Sequence, residues 1–231
     1  MTDIHCHLLP MVDDGGDDLD KSLEILRTMS LSGTDKVILT PHNFCGAREN
    51  TPEFLTEKFN AFVKTVLAAG INAELYLGEE VAFTRDFYNR KKSDFLTLAG
   101  SKALLVEFTA CESRDIVDEV YNLAETGYTP VVAHAERYED AFNENCLAEI
   151  KAEGGVIQIN AESLLKFRGE KTYKKCVKFI KSGLIDFVAS DTHQFRTPSL
   201  KTAEEVVKKK CGEKAAEALF YKNAEKIIFN R

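Results

Sequence analysis

The sequence predicts an α/β fold built from parallel strands. Short, nearly continuous apolar runs recur along the chain, as expected for strands that are covered on both faces. Amphipathic helical patterns stand between these runs, which is the order of repeated strand–helix–strand units. The seven candidate strands are 3–8, 36–40, 73–77, 103–108, 130–133, 156–159 and 187–190.

The helices between these strands are predicted from capping residues and apolar stripes. The clearest helix opens at Thr51, with a first-turn proline and an early acid, and Gly70 closes it. The other helical patterns are 17–32, 113–127, 141–153 and 170–183, and 202–229 is typical of two helices that pack on the outside. Periodicity alone leaves two architectures open, a closed barrel and an open doubly wound sheet.

Composition limits the function classes. The 231 residues are 44% hydrophobic and 29% charged, with no linker-like stretch, so we expect one domain over 1–231. A net charge of −7 disfavours a nucleic-acid partner, and the lack of a targeting or long apolar segment predicts a cytoplasmic chain without membrane insertion. The six cysteines form no C-x-x-C pair, and none has arginine six residues later, which excludes a cysteine-based phosphatase.

All five histidines lie at the ends of predicted strands. His5 and His7 belong to the first strand, while His42, His134 and His193 follow the second, fifth and seventh. One histidine at a strand end is more often a hydrogen-bonded structural residue than a ligand. The carboxyl ends of parallel barrel strands form one face, however, so five such histidines would converge there.

Carboxylates occupy the same strand ends. Glu107 and Asp191 follow apolar runs directly, where burial of an unpaired charge is costly. Imidazole and carboxylate ligands together suit zinc, manganese or iron, and the sequence therefore predicts a multi-metal site. The residues alone do not choose between Glu79 and Glu80, and they leave Asp14 open because D-D-G is typical of a turn or cap.

The motifs resemble one known superfamily over nearly the whole chain. They are, in order, D-I-H-C-H-L-L-P, V-D-D-G, T-P-H, G-E-E, L-V-E-F, A-H-A-E-R-Y, I-Q-I-N with S-L-L, and A-S-D-T-H. This order resembles the PHP (polymerase and histidinol phosphatase) superfamily, and within it the bacterial tyrosine-protein phosphatases of the CpsB/YwqE type.

The resemblance implies a distorted (β/α)7 TIM-like barrel, the PHP fold, with extra C-terminal helices. It also implies three divalent metal ions, with manganese first and iron, zinc or cobalt as alternatives. The implied ligands are His5, His7, Glu80 and Asp191 for one ion, Glu80, Glu107 and His134 for a second, and Asp14, His42 and His193 for a third.

The substrate phosphate is expected at Arg137 of H-A-E-R-Y, with Arg196 as a second candidate. The stretch between His193 and Arg196 is shorter than in similar proteins, which puts the reach of Arg196 in question. Met11 stands where glycine is common, and Ala135 where proline is common.

The implied function is a metal-dependent protein-tyrosine phosphatase of capsular or exopolysaccharide regulation. A hydroxide bridging two metal ions would attack phosphorus, and the phosphotyrosine protein would be the tail of a bacterial tyrosine kinase. Alternatives are a small-metabolite phosphatase of the histidinol-phosphate kind, a PHP nuclease, an amidohydrolase, and a non-catalytic metal-binding partner of a polysaccharide-synthesis complex. The sequence does not predict the oligomeric state.

Overall fold

The described strands form a closed parallel barrel, apart from one short antiparallel pair within residues 44–49. The computed structural model describes residues 1–45, 48–84, 86–108, 113–166, 169–196 and 198–230, without the side chains of residues 45, 48, 49, 113 and 114. The strands are β1 (Thr2–Cys6), β2 (Lys36–Leu39), β3 (Phe44–Cys45), β4 (Arg48–Glu49), β5 (Glu74–Leu77), β6 (Glu80–Ala82), β7 (Ala103–Glu107), β8 (Thr129–Val132), β9 (Val156–Asn160) and β10 (Phe187–Ala189). The helices are α1 (Leu19–Leu31), α2 (Pro52–Ala68), α3 (Ser113–Glu125), α4 (Glu144–Ala152), α5 (Glu170–Lys181), α6 (Leu200–Cys211), α7 (Glu213–Glu217) and α8 (Asn223–Ile227).

Two parallel sheets make the ring, and single bridges close it. One sheet has the order β1-β2-β5 and the other β10-β9-β8-β7-β6. Cys6 pairs with Thr192 beyond the end of β10, and His42 pairs with Glu80 at the start of β6. The structure is therefore a barrel rather than an open sheet, as the resemblance implied.

The third barrel position departs from the predicted single strand 73–77. It consists of β5 and β6, separated by Gly78 and Glu79. A Cβ atom on Gly78 would lie 3.0 Å from Leu98 Cδ2 and 3.2 Å from Leu98 Cα, so this close approach favours glycine. Three short 3₁₀ turns occupy the connection to β7 within residues 87–100, where other connections carry an α-helix. This position makes the barrel irregular.

The helices bury apolar stripes against the outside of the barrel. In α2, Leu55, Phe62 and Val66 are buried, while Leu67 is 68% exposed. The Thr51 hydroxyl oxygen caps α2 by accepting a hydrogen bond from Phe54 N at 3.3 Å, as its position predicted.

The predicted C-terminal pair of helices is more irregular than expected. α6 is followed by α7, a π-helical turn at Ala218–Lys222, and α8. Phe220 of this turn is fully buried, and the turn contacts β1 and β10. Among the described residues, none of the helices has the length and apolar character that crossing a bilayer would need.

Inside the barrel, the layer that is farther from the histidine-bearing strand ends is apolar. Buried residues from most strands meet there with residues in and just after α8, including Ile38, Leu105, Val131, Ala189 and Ile228. The strand ends above this layer are free to carry polar side chains.

Candidate metal centre

The five histidines of the chain meet at the carboxyl end of the barrel. His5 and His7 approach most closely, with 3.0 Å between their Nε2 atoms. The His7 ring stacks on His193 at 4.3 Å between centroids and lies 4.7 Å from His42, while His5 lies 5.7 Å from His134. The predicted convergence of strand ends therefore exists in the structure.

The H-x-H pair has the predicted orientation. His5 and His7 are fully buried and face the other histidines, whereas the side chain between them, Cys6, packs among apolar residues such as Leu26 and Leu55 of α1 and α2. This alternation follows from the period of two along an extended chain.

Glu80 lies at the centre of the cluster and contacts four histidines. Its Oε2 is 3.2 Å from His5 Nε2, His7 Nε2 and His42 Nδ1, and its Oε1 is 2.8 Å from His134 Nε2. Burial alone would raise the pKa of Glu80, but the surrounding imidazoles outweigh it and hold the pKa well below the usual value. Of the two neighbouring glutamates, Glu80 is therefore the one that lies among the histidines.

Asp191 is a second carboxylate that lies close to more than one histidine. Its Oδ1 lies 3.6 Å from the Nε2 atoms of both His5 and His7. The residue has φ of +50°, a left-handed conformation that costs about 1 kcal/mol or more for a non-glycine residue. Backbone hydrogen bonds hold it there, since Asp191 N donates to His5 O at 2.9 Å and His7 N donates to Thr192 O at 2.9 Å.

Two further carboxylates lie on opposite sides of the cluster. Asp14 Oδ1 is 3.5 Å from both His42 Nε2 and His193 Nε2, and the Asp14 side chain is 66% exposed. Glu107 Oε1 is 3.5 Å from His134 Nε2. Burial, and then the nearby charge of Glu80, raise the pKa of Glu107 to about 7. The site is therefore deep at Glu107 and open at Asp14.

Both candidate phosphate-binding arginines reach the site. Arg137 donates to Asp191 Oδ2 at 2.5 Å, and Arg196 donates to the same oxygen at 2.9 Å. Arg196 also donates to the Asp191 carbonyl at 2.9 Å. The shortened stretch after His193 therefore does not keep Arg196 away from the other residues of the site.

The donor set fits divalent metal ions. Three overlapping groups bring one donor atom per residue within 4.8 Å of one another, namely His7, Asp14, His42 and His193; His5, His7 and Glu80; and His42, Glu80 and Glu107. Carboxylates outnumber guanidinium groups here, and the Nδ1 atom of buried His134 has no hydrogen-bond partner among the residues that the structure describes. Burial disfavours a charged His7 ring, but Asp13 and Glu80 raise its pKa well above the usual value. Bound cations would neutralise these carboxylates in place of protonated imidazole rings.

The family can be assigned from the whole chain. The family model described as capsular polysaccharide synthesis, CpsB/CapC, matches residues 1–229. The chain belongs to the CpsB/CapC family. This result confirms the resemblance inferred from the motifs.

Individual members of the CpsB/CapC family are similar over their full lengths. Tyrosine-protein phosphatase YwqE from Bacillus subtilis is 30% identical over 236 residues, which cover 100% of this chain and 92% of YwqE. Tyrosine-protein phosphatase CpsB from Streptococcus pneumoniae is 33% identical over 242 residues, which cover 100% of this chain and 99% of CpsB. A crystal structure from a study of these two proteins, described as unique metal-dependent tyrosine phosphatases, superposes with a TM-score of 0.91 at 30% identity and covers 100% of this chain and 95% of its own.

In this CpsB/CapC-family chain, two residues beside the donors were not predicted. Asp13 Oδ2 accepts a hydrogen bond from His42 N at 2.9 Å and lies 2.8 Å from His7 Nδ1. Gln158 Oε1 accepts from His134 N at 2.8 Å and lies 3.1 Å from His5 Nδ1. Both hold the rings of candidate ligands, a task that sets tautomer and orientation in metal sites.

Sequence signals existed for only one of these two. Gln158 alternates with Asn160 along a strand, and both project toward the site, where Asn160 donates to Asp191 Oδ2 at 2.7 Å. Asp13 instead depends on the loop: a Cβ atom on Gly15 would lie 1.9 Å from His7 O, so the loop folds tightly onto His7, just after β1, only with glycine there. Nothing in D-D-G indicates which aspartate points inward.

Proposed function

We propose that this chain is a metal-dependent protein-tyrosine phosphatase that acts in capsular or exopolysaccharide regulation, with residues 1–231 as one phosphatase domain. The observation that carries the proposal is the convergence of five histidines, four carboxylates and two arginines at one end of the barrel in a member of the CpsB/CapC family. The relatives named above are themselves tyrosine-protein phosphatases.

We assign three divalent ions, manganese first, with iron, zinc or cobalt as alternatives. Their ligands would be His5, His7, Glu80 and Asp191; Glu80, Glu107 and His134; and Asp14, His42 and His193. The contacts of Glu80 with both His5 and His134 support its assignment to two ions. When bound, the ions would lower the pKa of water for attack on phosphorus and offset charge on the phosphoryl oxygens.

The arginines would bind the phosphate. Arg137 and Arg196 both donate to Asp191 Oδ2, and Arg196 also donates to the Asp191 carbonyl, yet each guanidinium group carries five donors, more than these oxygens can satisfy. A phosphate group offers several acceptors in the geometry that a guanidinium group matches. Both side chains are about one-quarter exposed, so they can contact a substrate without first being uncovered.

The leaving group needs little help from the protein. A tyrosine phenol has a pKa of about 10, so its oxyanion departs more readily than an alkoxide. No buried acid has to be positioned at the ester oxygen, and the open side of the site at Asp14 leaves room for a peptide. These features favour a phosphotyrosine protein over a small alkyl phosphate such as histidinol phosphate.

The substrate protein that we propose is the tyrosine-containing tail of a bacterial tyrosine kinase, dephosphorylated in the cytoplasm. The free thiols of Cys6, Cys146, Cys176 and Cys211, among the described cysteines, are consistent with a reducing compartment.

The test is hydrolysis of a phosphotyrosine peptide by metal-stripped protein after addition of manganese, zinc or magnesium, beside Arg137→Lys and the remote control Arg27→Ala. We expect manganese to restore activity, Arg137→Lys to lower kcat/KM by about 10- to 100-fold because the planar fork is lost, and Arg27→Ala to match the wild type. Histidinol phosphate and an amide substrate are measured in parallel. Faster turnover of either, or no turnover with any metal, would contradict the proposal.

A further inference from the structure

One aromatic side chain beside the metal centre is conspicuously uncovered. Phe195, in the loop that follows β10, is 71% exposed. Among the described side chains, no other phenylalanine exceeds 37% exposure. A single exposed apolar side chain is ordinary in itself, so the position of Phe195 beside the histidine cluster is what sets it apart.

Phe195 lies directly against two residues of the site. Its ring centroid is 5.1 Å from that of His193, at an interplanar angle of 43°. The Arg196 guanidinium carbon is 5.4 Å from the Phe195 centroid. The ring therefore borders both a candidate metal ligand and a candidate phosphate-binding group.

The loop that carries Phe195 is well held. Gln194 N donates to Gly15 O at 2.8 Å, and the Gln194 side-chain amide donates to Asp18 O and Ser22 Oγ at 2.7 and 2.8 Å. Arg196 N donates to His193 O at 2.9 Å on the other side. These bonds fix the backbone on both sides of Phe195, so little backbone conformational entropy remains to be lost when its ring contacts a ligand.

We propose that Phe195 is a specificity-determining residue that packs against the aromatic ring of the substrate phosphotyrosine. This inference rests on the proposed function. A tyrosyl ring is joined to phosphorus through one oxygen, so a phosphate held by Arg196 places the ring beside Phe195. Phosphoserine and other alkyl phosphates have no ring at that point, and ring pairs in offset or edge-to-face contact are attractive beyond their apolar burial.

The direct test uses two non-hydrolysable probes that share the phosphonate and differ in the ring. Binding of benzylphosphonate and of methylphosphonate to the manganese-loaded protein is measured by calorimetry for the wild type, Phe195→Ala and Phe195→Leu. The exposed Tyr121 of α3 provides the matched control Tyr121→Ala. We expect Phe195→Ala to weaken benzylphosphonate by about 3- to 10-fold, to leave methylphosphonate within about twofold, and Phe195→Leu to fall between.

A kinetic readout accompanies the binding data. For a phosphotyrosine peptide, Phe195→Ala should raise KM with little change in kcat, because the ring contact is present in both the bound substrate and the transition state. Equal weakening of both phosphonates, or of neither, would overturn the inference. So would a change from oligomer to monomer in Phe195→Ala with unchanged benzylphosphonate binding, since the ring would then cover a second copy of the chain.

The two proposals fail separately. Ring-dependent phosphonate binding without hydrolysis of any phosphotyrosine peptide would contradict the proposed function and leave Phe195 as an aryl-binding residue. Hydrolysis with equal phosphonate affinity in all variants would contradict only the role of Phe195.

Discussion

Replacement of Asp13 by asparagine should weaken metal binding without changing the fold. In the structure, Oδ2 of Asp13 faces two groups, His7 Nδ1 at 2.8 Å and His42 N at 2.9 Å, and Oδ1 accepts from Gly15 N at 2.9 Å. Both carboxylate oxygens are therefore acceptors. An asparagine side chain has the same shape but only one acceptor oxygen, so one of its two positions must become a donor.

Either orientation of the new amide is unfavourable. If the NH₂ group faces Gly15, it meets another donor, the Gly15 N–H. If it faces His7 and His42, it opposes the His42 N–H and forces His7 Nδ1 to act as an acceptor, which places the His7 proton on Nε2. That proton would block the nitrogen that lies 3.2 Å from Glu80 and that we assign to a metal ion. Loss of such a supporting group costs about 10- to 100-fold in metal affinity.

The assay is a manganese titration of stripped Asp13→Asn against a competing chelator, followed by phosphatase activity at saturating manganese. Asp17→Asn, an exposed change in the same loop, is the control. We expect the apparent Kd for manganese to rise about 10- to 100-fold and most activity to return at saturation. Unchanged affinity, or a loss of kcat at saturating metal with an unchanged Kd, would refute the supporting role of Asp13.

Three stability predictions follow, each measured by chemical unfolding. Leu105→Ala in the barrel interior should lower the free energy of unfolding by about 2–5 kcal/mol, whereas a change at exposed Leu31 should have little effect. Buried Glu204 contacts Lys201, Lys208 and Tyr221, which outweigh desolvation and lower its pKa to about 2. Glu204→Gln should therefore cost about 2 kcal/mol at pH 7, and its difference from the wild type should shrink as the pH falls from about 4.5 to about 2; a constant difference would contradict this. Met11→Gly should stabilise by about 1 kcal/mol, because Met11 has φ of +66° and is 64% exposed, and no gain would mean that its strain is already offset.

Strand order and most of the site were predictable because both depend on local patterns. A strand end is marked by the last apolar residue, and His42, His134 and His193 follow such ends closely. Parallel strands then bring these positions together whatever the details of the connections. Choosing Glu80 over Glu79 required the family resemblance, because the strand is interrupted at Gly78 and Glu79 and its alternation does not carry through to Glu80.

The features that the sequence did not predict depend on contacts between distant segments. The connection from β6 to β7 forms 3₁₀ turns rather than a helix, and no periodic signal in 86–100 indicates what it packs against. Asp13 acquires its role only after its loop meets His42, and Arg196 only after its loop meets Asp191. Such pairings are set by tertiary geometry, which sequence spacing does not encode.

Because the first strand pairs with the segment after the last strand, the full set of candidate metal ligands can assemble only late in synthesis. His5 and His7 leave the ribosome early, yet the backbone bonds that join this segment to Asp191 and Thr192 need nearly the entire chain. Until then β1 has a free edge and its histidines lack Asp191 and His193, and closing so long a loop is slow. A chain interrupted before β10 would therefore carry most of the ligands but lack Asp191, His193 and Arg196, so an incomplete translation product should not show partial activity.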